Sequence, residues 1–161
     1  MQFILTILFL FTTLNIADET TIVDTYHQQA QDDIRAIFEQ EVHCMSENII
    51  YEAGNQTIRG KIAVAQVTLN RLNSGKFSNT LCKVIYQPHQ YSWTMMTNRP
   101  KYDIIDYKEA YVIALNVMSH KVALPELKNA LYYHATYVHP VWRHDMVKVA
   151  QIEKHIFYKE N

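Results

Sequence analysis

The chain has 161 residues, a length that fits one domain with enough chain for a hydrophobic core. Its 15 Lys and Arg residues nearly balance its 16 Asp and Glu residues, so the formal net charge is −1. Such a chain lacks the positive charge with which nucleic-acid-binding proteins attract phosphate, and we expect no nucleic-acid partner.

An apolar run opens the chain, from Phe3 to Leu14, and is followed by Ala17 and then by acidic and polar residues. This pattern predicts a signal peptide over residues 1–17, because the run is shorter than the roughly 20 residues of a membrane span. No Lys or Arg precedes the run, so an N-terminal anchor is the alternative. We therefore expect an exported protein without a stable membrane span.

Residues 18–33 are polar and lack a clear period, which predicts a tether or a frayed helix start before a domain at 34–161. From Ile34 to Gly54 the apolar residues recur at helical spacing and predict the first core helix. The residues of this stripe are Ile34, Ile37, Phe38, Val42, Met45 and Ile49.

The next segments predict three more helices and then a change of pattern. A helix from Ile58 to Leu72 is apolar on most sides and hence central, and a short helix runs from near Thr80 to before Pro88. QYSWT reads as a loop or strand, and a helix from Tyr107 to Ser119 has Asp106 as its expected N-cap. Beyond Pro125, β-branched and aromatic residues predict short strands. The fold class is therefore mainly α, or α+β, with a few short strands.

Cys44 and Cys82 form an even count in an exported chain, which favours a disulfide. The chain-entropy model values the loop that it would close at about 4 kcal/mol. Two buried free thiols are the alternative.

Glu52 lies in the last turn of the first predicted helix, two residues before Gly54. An anion is unfavourable there, because the helix dipole places partial negative charge at the C-terminus. The same carbonyl dipoles, together with partial desolvation, would keep a carboxyl protonated toward neutral pH. Glu52 is therefore a candidate general acid.

The succession of CMSENIIYEAGNQ, GKIAVAQVTLNRLNSGKFSNTLCKVIYQPHQYSW, NALYYHATYVHPVW and HIFY resembles the SleB-like cell-wall hydrolases, which include spore-cortex-lytic enzymes and phage proteins. The resemblance covers residues 42 to 158. Together with the predicted leader, it implies a secreted, periplasmic or cell-wall protein, encoded by a bacterium, or by a phage and exported by its host. It implies a compact lysozyme-like or lytic-transglycosylase-like domain that cleaves the glycan strands of peptidoglycan, with its essential glutamate at Glu52. The family often continues with arginine, glycine and an acidic residue after Ala53, whereas Gly54, Asn55 and Gln56 follow here.

A glycan cleft needs polar aromatic side chains beside the acid, and the loop QPHQYSW and the segment YYHA supply them. We expect a monomer that binds glycan strands through Gln90, Ser92, Trp93, Tyr133, His134 and Trp142.

Hydrolysis of a glycosidic bond commonly uses two carboxyls. No motif singles out a partner for Glu52 among Asp103, Asp106, Glu109, Glu126 and Asp145, although Asp145 is nearest an aromatic cluster. A lytic transglycosylase needs only one glutamate, because the muramic acid 6-hydroxyl attacks the anomeric carbon and leaves a 1,6-anhydromuramyl end. A hydrolytic muramidase and a non-catalytic peptidoglycan-binding module are the alternatives.

Four histidines occur late in the chain, at positions that match no metal-site spacing such as HExxH. They are His134, His139, His144 and His155. We therefore expect no metal and no cofactor.

Overall fold

The computed structural model describes residues 18–161, and the predicted leader, residues 1–17, lies outside the described residues. Residue contacts divide the chain into two units, Met1–Arg35 and Ala36–Asn161. Within residues 18–161, no helix combines the length and the apolar character that crossing a membrane requires.

The first helix, α1, is Glu19–Ala53 and has 35 residues. Residues 19–33 are thus regular helix rather than an irregular tether. Amide–carboxylate hydrogen bonds one turn apart support this polar part, from Gln28 to Asp32 and from Gln29 to Asp33. It shows no apolar period because nearly all of its side chains are exposed.

The apolar stripe of α1 is buried only in its C-terminal part. Ile34 and Ile37 are 67% and 61% exposed, and Phe38 is also exposed. Val42, Met45 and Ile49 are fully buried and form part of the main core cluster. The core contact of α1 therefore begins near Val42 and continues to the turn that carries Glu52.

The second helix, α2 (Ile58–Asn73), is central, as its apolar surface predicts, and it packs against α4 (Ile104–Met118). In the chain, α2 and α4 are separated by α3 (Leu81–Ile85) and by a 3₁₀ helix at Ser92–Met95, in the QYSWT segment. The prediction of Asp106 as the N-cap of α4 was wrong. The cap is Asp103, whose carboxylate accepts hydrogen bonds from the amides of Ile105 and Asp106.

The C-terminal region forms the predicted short strands. They are β1 (Tyr132–Ala135), β2 (Val147–Ile152) and β3 (His155–Lys159), which pair antiparallel in the order β1-β3-β2. Further 3₁₀ helices lie at Pro125–Leu127 and Val141–Asp145. Phe157 of β3 is fully buried in one cluster with residues of α2, which places the sheet against the central helix.

The two cysteines are joined in a disulfide between α1 and α3, with the Cα atoms of Cys44 and Cys82 5.4 Å apart. Beside it, the Glu41 carboxylate accepts a hydrogen bond from the Cys82 amide at 3.1 Å. The C-terminal half of α1 is therefore held by a covalent bond as well as by the core.

Candidate active site

Glu52 lies in the last turn of α1, and the chain leaves the helix directly after it. The Gly54 amide donates to the Ile50 carbonyl oxygen at 2.9 Å. A Cβ atom on Gly54 would lie 2.5 Å from that same oxygen. The close approach explains why glycine stands where the helix ends.

A direct hydrogen bond joins Glu52 to the sheet. The Tyr133 hydroxyl, on β1, donates to Glu52 Oε2 at 2.9 Å. Burial raises the pKa of the Glu52 carboxyl above its ordinary value, and the Tyr133 hydrogen bond and the positive charge of Arg71 oppose this rise. Glu52 therefore keeps its proton to a higher pH than an exposed glutamate does.

Glu52 lines a cleft of about 550 Å³, a size that suits sugar units. Its wall combines the end of α1, Lys61 of α2, the loop before α4, the start of α4, the end of β1 and the β2–β3 turn. The polar and aromatic lining residues include Tyr51, Asn55, Gln56, Lys61, Lys101, Tyr102, Asp106, Tyr137, Lys154 and His155.

His155 is a cleft residue that the sequence analysis considered only as a metal ligand. Its ring is 6% exposed and lies edge-on to Tyr133, with ring centroids 4.8 Å apart. Burial, with a smaller effect from His134, lowers the pKa of His155 to about 4. Gln56 Nε2 lies 3.1 Å from His155 Nδ1. A neutral imidazole therefore stands beside the Glu52–Tyr133 pair, and HIFY in the resemblance was the signal for it.

Two predicted sugar-binding residues lie inside the protein, which corrects the expectation that they form the cleft. Trp93 is 2% exposed, stacks on Tyr51 and donates its indole N–H to Asn48 Oδ1 at 3.1 Å. His134 is 7% exposed, and its Nε2 lies 3.0 Å from the Tyr158 hydroxyl. Neither ring has a face open to a sugar.

Of the other predicted binding residues, only Tyr133 contacts Glu52. Gln90, Ser92 and Trp142 are absent from the cleft wall, and Trp142 packs against Tyr132 with ring centroids 5.9 Å apart. Their binding roles stay predictions. Three tyrosines do line the cleft, and the sequence analysis named none of them as a binding residue: Tyr51, Tyr102 and Tyr137.

Among the candidate second carboxyls, Asp106 lies in the cleft wall with Glu52. Each of the other four candidates either caps a helix, forms an ion pair or lies outside the cleft wall. Asp103 caps α4, Glu109 pairs with Lys61, Glu126 pairs with Arg59, and Asp145 is exposed and absent from the cleft wall. Over residues 18–161, no three His, Cys, Asp or Glu side chains are grouped closely enough to hold a metal ion.

The fold is lysozyme-like and mainly α, as the resemblance implies, and it is shared with solved bacterial domains. The catalytic domain of the SleB protein of Bacillus cereus is 26% identical, with a TM-score of 0.61 over 75% of this chain and 91% of that domain. The catalytic domain of the germination-specific lytic transglycosylase SleB from Bacillus anthracis is 25% identical, with a TM-score of 0.59 over 74% of this chain and 93% of that domain.

The chain belongs to the Cell Wall Hydrolase family, whose model matches residues 55–158. It is also 28% identical to a spore cortex-lytic enzyme of Oceanobacillus iheyensis over an alignment of 129 residues, and this alignment covers 75% of this chain. The chain spans 42% of the length of that relative. The family match begins after Glu52, so a role for Glu52 rests on the geometry of the site.

Proposed function

We propose that the protein cleaves the glycan strands of peptidoglycan outside the cytoplasm, with Glu52 as the general acid. The observation that carries the proposal is a partly buried carboxyl with a raised pKa in the wall of a cleft, held by the Tyr133 hydroxyl. Proton donation to the glycosidic oxygen is the step for which such a carboxyl is suited. Membership of the Cell Wall Hydrolase family supports this substrate and argues against a non-catalytic binding module.

The reaction proposed is lytic transglycosylation. Glu52 donates its proton to the glycosidic oxygen as the bond from that oxygen to the anomeric carbon breaks. The resulting carboxylate then removes the proton from the 6-hydroxyl of the same muramyl unit, whose oxygen bonds to the anomeric carbon. The product is a 1,6-anhydromuramyl end, no water is consumed, and Glu52 regains its proton. The B. anthracis neighbour, described as a lytic transglycosylase, supports this choice.

Hydrolysis is the second candidate, and one observation favours it. Asp106 lies in the wall of the same cleft as Glu52, where a second carboxylate could activate water. Digestion of peptidoglycan in water enriched in heavy oxygen separates the two reactions. Intramolecular attack introduces no solvent oxygen into the new end. Labelled reducing ends together with an inactive Asp106→Asn variant would establish hydrolysis instead.

The proposal is tested with Glu52→Gln, which preserves the side-chain shape but has no acidic proton. We expect the variant to fold normally and to lose about 100- to 10,000-fold in the rate of muropeptide release from purified cell walls. Glu39→Gln is the matched control, because Glu39 lies on the same helix and bonds the Tyr111 hydroxyl instead of lining the cleft. More than a tenth of wild-type activity in Glu52→Gln would refute the assignment.

A further inference from the structure

Arg71, near the C-terminal end of α2, is a buried cation close to the candidate site. It is 5% exposed, and its Nε donates to the Leu131 carbonyl oxygen at 2.7 Å. Nη1 is buried and has no hydrogen-bond partner. Within residues 18–161, no carboxylate lies within ion-pair distance of the guanidinium. A neutral side chain could donate a hydrogen bond to the Leu131 carbonyl oxygen equally well. A buried charge without an ion-pair partner is costly, so the positive charge of Arg71 requires an explanation.

The guanidinium lies among aromatic rings, one of which belongs to the residue that holds Glu52. Its central carbon is 5.5 Å from the ring centroid of Phe77, 5.3 Å from that of Tyr91 and 6.0 Å from that of Tyr133. Aromatic faces stabilise a cation. They do not neutralise it, so its field extends to groups beyond the rings.

We infer that Arg71 is a positioning residue for glycan cleavage, which packs behind Tyr133 and stabilises the Glu52 anion that forms in the middle of the reaction. This inference rests on the proposed function, because only an acid that gives up its proton needs a counter-charge. Burial disfavours the carboxylate, whereas the Tyr133 hydrogen bond and the Arg71 charge favour it and lower the pKa of Glu52. The Tyr133 hydrogen bond and the Arg71 charge thereby allow Glu52 to act first as an acid and then, as the carboxylate, as a base.

Other charged and titratable groups also line the cleft with Glu52. They are Tyr51 from α1, Lys61 from α2, Lys101 and Tyr102 from the loop before α4, Asp106 from α4, Tyr137 from the loop after β1, Lys154 from the β2–β3 turn, and His155 from β3. Burial raises the pKa of Tyr51 and of Tyr102, so these two hydroxyls stay uncharged. Lys61 is paired with Glu109, and Lys101, Asp106 and Lys154 are exposed to solvent that screens their charges. Arg71 is screened less, because it is buried.

The test compares Arg71→Met with Arg71→Lys in the full chain. Loss of the cation raises the pKa of Glu52, so we expect the alkaline limb of kcat in Arg71→Met to move up by about one pH unit. Because Glu52 becomes a weaker acid, kcat should fall about tenfold, with little change in KM. Arg71→Lys loses the Leu131 hydrogen bond but keeps the charge, so its alkaline limb should match that of the wild type.

A purely structural role predicts a different result. Both variants would then lose thermal stability, and neither would shift the pH profile, which would overturn the inference. Carbon-13 NMR titration of the Glu52 carboxyl measures the coupling without reference to activity. An upward shift of the Glu52 pKa in Arg71→Met is expected, and an unchanged pKa would refute it. The proposed function fails by a different result, namely a Glu52→Gln variant that keeps its activity, so the two failures can be told apart. If Arg71→Met does not fold, a shifted limb in Arg71→Lys would refute the inference.

Discussion

Tyr133→Phe removes one hydroxyl from the candidate site and keeps the ring that packs beside His155 and Phe157. The hydroxyl donates to Glu52 Oε2 at 2.9 Å and lowers the pKa of the carboxyl. Without it, the Glu52 carboxylate loses a hydrogen-bond donor in a partly buried site. The protonated form is affected less, so the pKa of Glu52 rises further above its ordinary value.

The size of the effect follows from the kind of bond that is lost. A hydrogen bond to a charged group contributes about 1.5–3 kcal/mol. At about 1.4 kcal/mol per pKa unit, the pKa of Glu52 rises by about one to two units. Proton donation becomes harder by the same free energy, so kcat should fall about 10- to 100-fold. Its alkaline limb should move to higher pH, because Glu52 stays protonated longer.

The assay is turnover of soluble peptidoglycan glycan fragments between pH 4 and about pH 9, a range chosen to span the shifted pKa. Thermal unfolding checks that the variant remains folded. Tyr132→Phe is the matched control, because Tyr132 is the neighbouring residue on β1, is absent from the cleft wall, and donates its hydroxyl to Glu160 Oε1 at 3.1 Å instead of to Glu52. A Tyr133→Phe enzyme with wild-type kcat and an unshifted alkaline limb would show that the bond to Glu52 plays no part in the reaction.

Two further predictions concern stability. Intact-mass measurement after alkylation should detect no free thiol in the native protein, and two alkylated thiols without prior reduction would contradict this. The double variant Cys44→Ser with Cys82→Ser should lose up to about 4 kcal/mol in the free energy of unfolding, which denaturant titration measures. Trp93→Ala should lose about 3–5 kcal/mol of that free energy, because the indole is buried. If Trp93→Ala instead raised KM and left the free energy of unfolding unchanged, Trp93 would be a sugar-binding residue, as the sequence analysis expected.

The elements that the sequence predicted well have signals that are local in the chain. In α2, apolar residues on most sides indicated a central helix, and Ala63, Val64 and Val67 are indeed fully buried. The polar part of α1 was harder to predict, because an exposed helix needs no apolar period. The N-cap of α4 was misplaced because Asp103 and Asp106 are three residues apart and both precede apolar residues.

The candidate site was only partly predictable for a related reason. Glu52 carries its own signal, an acid in the turn before a helix-ending glycine. Trp93 was assigned to the cleft because a polar aromatic loop resembles a sugar-binding surface, yet its indole N–H bonds a buried asparagine. Tyr102 and Lys154 reach the cleft only through the packing of loops distant in sequence, and no pattern along the chain reports that packing.

The strand order has a consequence for when the site can form during synthesis. Tyr133 lies on β1, whose strand partner in the described sheet is β3 (His155–Lys159). A nascent chain that ends before His155 therefore has Glu52 and Tyr133 but no strand to fix Tyr133 in place. We expect that the bond between them forms only after β3 has been made. The candidate site would then stay incomplete until a strand far along the chain from Glu52 has been synthesised.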